Sequence, residues 1–265
     1  MTVSDPNLIE ELHRVAAALA DVARGETLAH FRKADLSIES KAAAFDPVTV
    51  ADRAAEAAMR ARLAELRPQD GIVGEEFGVT EGTSGLTWIL DPIDGTRGYM
   101  SGTPTWGVLI AVANDAGPLL GVIDQPYIGE RFVGGLGTAS VIGPQGDATL
   151  KTRDARPLDQ AVLFTTFPEV GTLDDRQAFE RVAAKARLTR YGMDCYAYAL
   201  VAAGQVDLVI EAGLASYDIA APIAVIEAAG GIVTDWEGGP VHDGGRALAA
   251  ANRAIHAEAL ALLAG

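Results

Sequence analysis

Acidic residues lie at three places in this 265-residue chain where an apolar segment stops or begins. The pair Glu75-Glu76 directly follows Ile72-Val73 and a glycine. The string Asp91-Pro-Ile-Asp-Gly-Thr96 follows Trp88-Ile-Leu90, and Tyr217-Asp218 stands ahead of a long, mostly apolar segment. Ligand sites on α/β scaffolds commonly form where strands end. The spacing therefore favours a site lined by carboxylates.

The residue types in the central string indicate what such a site could bind. Hard cations such as Mg²⁺ prefer carboxylate and carbonyl oxygens, completed by water and substrate phosphate. Asp91 and Asp94 flank a proline that stiffens the turn, and the Ile93 carbonyl between them could add a neutral ligand. Gly95 and Thr96 could open a helix whose free N–H groups favour a phosphate, and the threonine hydroxyl could orient a water. The combination predicts metal-assisted transfer of a phosphoryl group to water.

Each of these motifs also has a purely structural interpretation. Asp-Pro and Asp-Gly are common turn dipeptides, and Asp218 would make a good helix N-cap. The spacing Thr49-x-x-Asp52 matches a capping box, and Glu75-Glu76 could be a solvated loop pair. Three acidic groups at equivalent positions, one of them within a dense six-residue string, nevertheless favour a shared site.

Four segments resemble the signatures of the inositol monophosphatase family in their order and spacing along nearly the whole chain. These segments are Gly74-Glu-Glu76, Trp88-Ile-Leu-Asp-Pro-Ile-Asp-Gly-Thr96, Tyr217-Asp-Ile-Ala-Ala221 and Glu227-Ala-Ala-Gly-Gly231. The resemblance implies a five-layered αβαβα sandwich of the α/β class, dependence on two to three Mg²⁺ ions, and hydrolysis of a phosphate monoester.

The resemblance also implies a ligand set. Glu75, Asp91 and the Ile93 carbonyl would hold the Mg²⁺ that activates the attacking water, so Glu75 counts as catalytic. Asp91, Asp94 and Asp218 would hold a second Mg²⁺ at the leaving group, and a third ion would contact Glu75.

Further roles follow from the same resemblance. Thr96, hydrogen-bonded to Asp52, would help to deprotonate the attacking water. The amides of Gly95 and Thr96 would bind the phosphate. Lys41 and Glu76 would lie in the surroundings of the ligands, Lys41 as a nearby cation.

The alcohol that carries the phosphate is predicted from departures within the family. Inositol-type members commonly read Asp-Gly-Thr-x-Asn-Phe, whereas this chain reads Asp94-Gly-Thr-Arg-Gly-Tyr99. That segment, its continuation to Gly107, and Arg190-Tyr-Gly-Met-Asp-Cys-Tyr-Ala-Tyr198 are more similar to the histidinol-phosphate phosphatase branch. Arg190 is accordingly a candidate substrate contact.

Two further acids support a cationic substrate. Glu211 falls seven residues before Asp218, where the family places its alcohol-binding glutamate, and Asp194 falls where inositol enzymes carry a small apolar residue. Two acids suit an amino alcohol better than a neutral polyol. Three alternatives stay open: Asp194 could cap a helix beginning near Tyr196, the substrate could be inositol 1-phosphate or a sugar phosphate, and the scaffold could act as an interaction protein.

Periodicity and turn residues predict the elements that would position these side chains. We expect an α+β part over residues 1–150 that carries most ligands, and an α/β part over 151–265 that carries Asp218 and the specificity residues, with a polar boundary at 151–157. The predicted elements are a helix capped by Asp5-Pro6, a helix from about Ala51 to Arg67, an antiparallel meander within Gly107–Ile142, strands Val162–Thr166, Val206–Ile210 and Gly231–Thr234, and helices Asp175–Ala186, Tyr196–Ala203, Ile219–Ala229 and Ala254–Leu263.

Composition limits the classes of partner. The chain has 36 Asp and Glu against 21 Lys and Arg, for a net charge of −15, which argues against nucleic acid as a partner. A single cysteine, Cys195, favours a reducing compartment. The sequence has no apolar run long enough for a membrane span and no signal-peptide pattern, so we expect a cytoplasmic protein. The family resemblance also implies that the protein forms a homodimer and is inhibited by Li⁺.

Overall fold

The computed structural model describes residues 4–33, 38–40 and 47–265. Within these residues the chain forms seven α-helices and fifteen strands. The helices are α1 (Pro6–His30), α2 (Val50–Leu66), α3 (Thr96–Ser101), α4 (Leu173–Ala183), α5 (Asp194–Ala202), α6 (Ser216–Ala228) and α7 (Arg253–Ala264).

The strands form one small ladder and two larger sheets. The ladder pairs β1 (Ile38–Ser40) with β2 (Pro47–Thr49). The eight-stranded sheet has the order β10-β9-β8-β7-β6-β5-β3-β4 and contains β3 (Gly71–Gly74), β4 (Gly78–Thr80), β5 (Thr87–Asp94), β6 (Gly107–Asn114), β7 (Gly117–Gln125), β8 (Glu130–Gly135), β9 (Thr138–Ile142) and β10 (Ala148–Thr149). The five-stranded sheet has the order β12-β11-β13-β15-β14 and contains β11 (Val162–Thr165), β12 (Leu188–Tyr191), β13 (Leu208–Ala215), β14 (Ile232–Thr234) and β15 (Gly244–Ala250).

Helices and sheets alternate in five layers. Helices α1 and α2 cover one face of the eight-stranded sheet, α5 and α6 lie between the two sheets, and α4 and α7 pack at the far side of the five-stranded sheet. Strand β6 shows why both faces are covered, because Ile110 packs in the core with α1 and α2 while Leu109 packs in the core with α6. Successive side chains of a strand point to opposite faces. The expected αβαβα sandwich is confirmed.

Helix α6 is apolar on every side because it lies between two sheets. All residues from Ile219 to Ile226 are buried. Two glycines let the eight-stranded sheet approach this helix closely: a Cβ at Gly134 would lie 2.4 Å from the Val225 Cα, and one at Gly121 would lie 2.4 Å from the Ala221 carbonyl oxygen. These contacts fix the depth of the helix whose first turn carries Asp218.

Most of the predicted elements are present. Asp5 caps α1, Thr49 and Asp52 form the capping box of α2, and β6 to β9 form the antiparallel meander. Strand β13 begins later and runs further than predicted, to Ala215. The eight-stranded sheet lies entirely before residue 150 and the five-stranded sheet entirely after it; a division into two domains there stays a prediction.

The sequence pattern does not predict two strands of the five-stranded sheet, β12 and β15. Strand β15 reads Gly-Gly-Arg-Ala-Leu-Ala-Ala, which lacks the β-branched and aromatic residues that are typical of strands. It pairs with both β13 and β14, where small side chains fit beneath α6. Tertiary packing therefore decides its conformation.

Among the described residues, every helix is too short or too polar to cross a membrane.

The close approach at Gly134 gives a test of the packing. We expect Gly134→Ala to lower the free energy of unfolding by about 1–3 kcal/mol, since the new methyl group would force α6 away from β8. Gly25→Ala, within α1, is the control, because a Cβ added there has no neighbouring atom within 4 Å, and the change should stabilise the helix by about 0.5–1 kcal/mol. Urea unfolding of both variants measures the difference. Equal effects would contradict the proposed contact.

Candidate active site

Three of the predicted ligands converge at the carboxyl end of β5, an inner strand of the eight-stranded sheet. Asp91, Asp94 and Asp218 each offer a carboxylate oxygen, and these oxygens lie within 4.8 Å of one another. Asp91 and Asp94 lie in the second half of β5, where the pairing with β6 is interrupted between them by an irregularity of the ladder. Such bulges change the direction of side chains. Asp218 reaches the same point from the first turn of α6.

A backbone amide orients each of these carboxylates. Asp91 Oδ1 accepts a hydrogen bond from the amide of Ile93 at 3.0 Å, and Asp94 Oδ2 accepts one from the amide of Cys195 in α5. Asp218 Oδ2 accepts one from the amide of Ala215 at 2.7 Å. The N-cap residue of α6 is therefore Ala215 and not Asp218. The Asp218 carboxylate accepts a hydrogen bond from the amide of this N-cap residue. The capping and ligand interpretations of Asp218 are compatible.

The cluster is electrostatically costly without a cation. Burial, followed by the charges of Glu75, Asp94 and Asp218, raises the pKa of Asp91 well above its usual range. Burial and the charges of Asp194 and Asp218 do the same for the pKa of Asp94. The pKa of Asp218 rises to about 6, again mainly through burial. Buried carboxylates that repel one another are stabilised by a bound cation, and an all-oxygen donor set fits a hard divalent ion. The residues present thus fit a metal site.

Glu75 joins the cluster through the pairing of neighbouring strands. Strand β3 runs parallel to β5, with Gly74 opposite Leu90, and the amide of Glu75 donates to the Leu90 carbonyl at 3.2 Å. The Glu75 carboxylate interacts with Asp91 by charge and by hydrogen bonding. The next residue, Glu76, has its carboxylate 3.8 Å from the Arg53 guanidinium.

Asp52 and Thr96 form the pair that the family resemblance implies. The Thr96 Oγ1 lies 3.4 Å from Asp52 Oδ1 and 3.2 Å from the Ile93 carbonyl oxygen. The other Asp52 oxygen, Oδ2, accepts hydrogen bonds from the amide and hydroxyl of Thr49. Burial raises the pKa of Asp52 to about 6, with a smaller contribution from the charge of Glu75. Asp52 therefore both caps α2 and faces Thr96.

Gly95 requires its glycine for two reasons. Its φ of +84° lies in the left-handed region, and it stands at the N-cap position of α3. A Cβ there would also lie 2.7 Å from Asp194 Cγ. Asp194 itself has a φ of +46° and is the first residue of α5, with Met193 at the N-cap position. The alternative that Asp194 is the N-cap of this helix is therefore wrong, and a strained backbone instead places its side chain against Gly95.

A pocket of 220 Å³ opens beside the cluster. Its lining combines both halves of the chain: Asp94, Gly95, Thr96, Arg97, Thr166, Phe167, Asp194, Glu211, Leu214 and Asp218. Both of the acids predicted to contact substrate, Asp194 and Glu211, thus share a pocket with two of the predicted metal ligands.

The two acids predicted to contact substrate are held differently. Glu211 is 8% exposed and accepts hydrogen bonds from the Thr165 hydroxyl and from the amide and hydroxyl of Thr166. Burial is the largest cause that raises its pKa to about 7. Asp194 lies 3.4 Å from the Thr105 hydroxyl, and burial raises its pKa to about 6, against the lowering effects of Thr105 and Arg97.

Sequence reasoning missed part of the lining. The Arg97 guanidinium lies 4.9 Å from the centre of the Phe167 ring, which is partly exposed. Arg97 departs from the inositol-type motif, and Phe167 belongs to no motif. Arg190 lies on the exposed edge strand β12 and is not among the residues that line the pocket. Lys41 falls outside the described residues.

The family model described as the inositol monophosphatase family matches residues 8–264. The chain belongs to the inositol monophosphatase family. This is a family of metal-dependent phosphatases, and the acidic cluster is present in this member. The recognition made from the four sequence segments is confirmed.

Three relatives indicate the range of names within the family. Bifunctional phosphatase IMPL2, chloroplastic, from Arabidopsis thaliana is 43% identical over 86% of this chain and 66% of that protein, just under two thirds of its length. A histidinol-phosphatase of Streptomyces coelicolor is 36% identical over 97% of this chain and 98% of the relative. A solved structure of an inositol monophosphatase from Zymomonas mobilis is 39% identical, covers 97% of this chain and 98% of that chain, and has a TM-score of 0.84.

The raised pKa of Glu211 predicts a pH-dependent stability. A carboxyl whose folded-state pKa is about 7 rather than 4.5 favours the folded state at low pH, and this contribution disappears as the pH rises through 7. The Glu211→Gln variant lacks this pH-dependent contribution to stability. In EDTA, we therefore expect the free energy of unfolding of the variant, relative to the wild type, to increase by up to about 3 kcal/mol between about pH 5 and pH 8.

Urea unfolding at the two pH values measures this change. Glu65→Gln is the control, because its exposed carboxylate pairs with Arg62 of the same helix at 2.6 Å. A Glu211→Gln difference that is the same at both pH values would refute the assigned burial of the charge.

Proposed function

We propose that this family member is a Mg²⁺-dependent phosphate monoester hydrolase whose preferred substrate is L-histidinol phosphate, which it converts to L-histidinol and phosphate as part of histidine biosynthesis. The observation that carries the proposal is the pocket itself. Asp194 and Glu211 line the same cavity as Asp94 and Asp218, so an alcohol bound against the first pair has its phosphate beside the second.

The residues proposed to hold two to three Mg²⁺ ions are Glu75, Asp91, the Ile93 carbonyl, Asp94 and Asp218. When bound, the metal would lower the pKa of water and neutralise charge on the phosphate. The donor set supports this assignment, because it consists of oxygens only, and the carboxylate oxygens of Asp91, Asp94 and Asp218 lie within 4.8 Å of one another.

The remaining roles belong to side chains and amides around the cluster. Thr96 Oγ1 lies between Asp52 Oδ1 and the Ile93 carbonyl, so its oxygen can accept a proton from the attacking water as its own proton moves to Asp52. A carboxylate with a pKa of about 6 is a suitable proton acceptor near neutral pH. The amides of Gly95 and Thr96 at the start of α3 would bind the phosphate oxygens.

The preference for histidinol follows from charge. L-Histidinol phosphate carries an ammonium group and an imidazole, whereas inositol 1-phosphate presents only hydroxyl groups to the same pocket. Buried carboxylates such as Glu211 gain most from a cationic partner, because they have lost their hydration. The name of the Streptomyces relative supports histidinol phosphate, and that of the Zymomonas structure keeps inositol 1-phosphate as the alternative.

A substrate panel tests the preference. With Mg²⁺ present, we expect kcat/KM for histidinol phosphate to exceed that for inositol 1-phosphate and for 3′-phosphoadenosine 5′-phosphate. Asp194→Asn should lower kcat/KM for histidinol phosphate at least about tenfold and leave that for inositol 1-phosphate nearly unchanged, since only the cationic substrate loses an ionic partner. An unchanged ratio in Asp194→Asn would exclude Asp194 as the residue that selects the cation.

A second variant separates catalysis from a role in interaction. Asp94→Asn removes one charge from the cluster and should reduce hydrolysis of every substrate in the panel by several orders of magnitude. Comparison of the variant with wild type in cells that depend on this gene then shows whether hydrolysis is the required activity. A phenotype fully complemented by Asp94→Asn would favour a function as an interaction protein.

A further inference from the structure

The proposed ligand Glu75 sits on a short hairpin loop. Strands β3 and β4 pair up to Gly74 and Gly78, which leaves only residues 75–77 in the loop. Gly78 closes this loop with a φ of +67°. The position of the Glu75 carboxylate therefore depends on the hydrogen bonds that hold the backbone of residues 75–78.

A buried glutamate of α2 binds two of the loop amides. Glu56 lies one helical turn after Asp52 and is fully buried. Its Oε2 accepts a hydrogen bond from the amide of Glu76 at 2.6 Å, and its Oε1 accepts one from the amide of Phe77 at 3.2 Å. The hairpin lies directly against the helix, since a Cβ at Gly74 would fall 2.0 Å from the Glu56 carboxylate.

An arginine on the next turn of the same helix completes the attachment. The Arg60 Nε donates to Glu56 Oε1 at 2.7 Å, and its two terminal nitrogens donate to the Gly78 carbonyl and to the Thr80 hydroxyl. Its guanidinium also lies 5.9 Å from the centre of the Phe77 ring. Glu56 thus binds the amides of the loop, and Arg60 binds the strand that leaves it.

We infer that Glu56 and Arg60 are positioning residues that set the affinity of the site for a divalent cation. They hold the hairpin so that Glu75 faces Asp91, and they connect it to the helix that carries Asp52. The inference rests on the proposed role of Glu75 as a ligand. A buried ion pair is weak support for stability alone, whereas partners that orient a metal ligand commonly change metal affinity when they are replaced.

Electrostatics and positioning make opposite predictions for Arg60. Removal of a positive charge near a cation site strengthens cation binding if only long-range charge matters. Loss of the attachment weakens binding if the hairpin must be held. Arg62, on the same helix and exposed in a pair with Glu65, offers the matched removal of charge without contact to the hairpin in the described structure.

The experiment measures Mn²⁺ binding to the metal-free, full-length protein by electron paramagnetic resonance. We expect Arg60→Met to weaken Mn²⁺ affinity by about ten- to hundredfold and Arg62→Met to leave it equal or slightly tighter. Unchanged or tighter binding in Arg60→Met overturns the inference. Circular dichroism and the Tm in EDTA check that each variant is folded.

Glu56→Gln provides a second test of the positioning role if Arg60→Met does not fold. The amide side chain keeps the volume but has one acceptor oxygen in place of two, so the Mg²⁺ concentration for half-maximal hydrolysis should rise while kcat returns at saturating Mg²⁺. A kcat that stays low at every Mg²⁺ concentration, with unchanged half-saturation, indicates general structural damage and counts against positioning. Glu65→Gln is the charge-matched control.

Glu75→Gln separates this inference from the proposed function. If Glu75→Gln leaves Mn²⁺ affinity unchanged, the ligand role of Glu75 is wrong, and the positioning role fails with it. If Glu75→Gln weakens binding and neither Arg60→Met nor Glu56→Gln does, only the positioning role is wrong.

Discussion

The repulsion among closely spaced carboxylates is the constraint on which this structure depends. Asp91, Asp94 and Asp218 have oxygens within 4.8 Å of one another, in surroundings that raise the pKa of each of them. Such a cluster persists only if the elements that carry it are themselves rigidly held. Helix α6 meets this requirement, because it is buried between two sheets and contacts glycines of β7 and β8 at backbone distance. Its first turn brings Asp218 to the end of β5.

Capping interactions link the local structure of the helices to the chemistry of the site. Asp52 and Asp218 each stand at the third position of a helix and bind the amide of the N-cap residue through one oxygen. The other oxygen of Asp52 faces the Thr96 hydroxyl, and the Asp218 carboxylate belongs to the acidic cluster. A residue of this kind satisfies the helix terminus and is oriented by it at the same time. The structural and functional interpretations of these motifs are therefore not alternatives.

The pocket proposed to bind the alcohol is assembled from both halves of the chain. The end of β5 and the start of α3 contribute Asp94 to Arg97, while the segment after β11 contributes Phe167, α5 contributes Asp194 and β13 contributes Glu211. Most of the proposed metal ligands thus belong to one sheet, and the acids proposed to contact substrate belong to segments that come after it in the chain. This arrangement would allow the residues proposed to bind the alcohol to vary without any change in the proposed ligand set, and the relatives carry different substrate names.

The sequence by itself determined what depends on neighbouring residues: the caps of α1 and α2, the antiparallel meander, and the oxygen-rich character of the acidic string. The motif resemblance determined the family and its five-layered fold. Only the tertiary structure decided which distant groups meet. It made the alanine-rich β15 an inner strand, placed Phe167 in the pocket and Arg190 on an exposed edge, and bound the hairpin of Glu75 to Glu56. Caps and turns act within a few residues, whereas these contacts depend on strand register and helix packing between segments far apart in the chain.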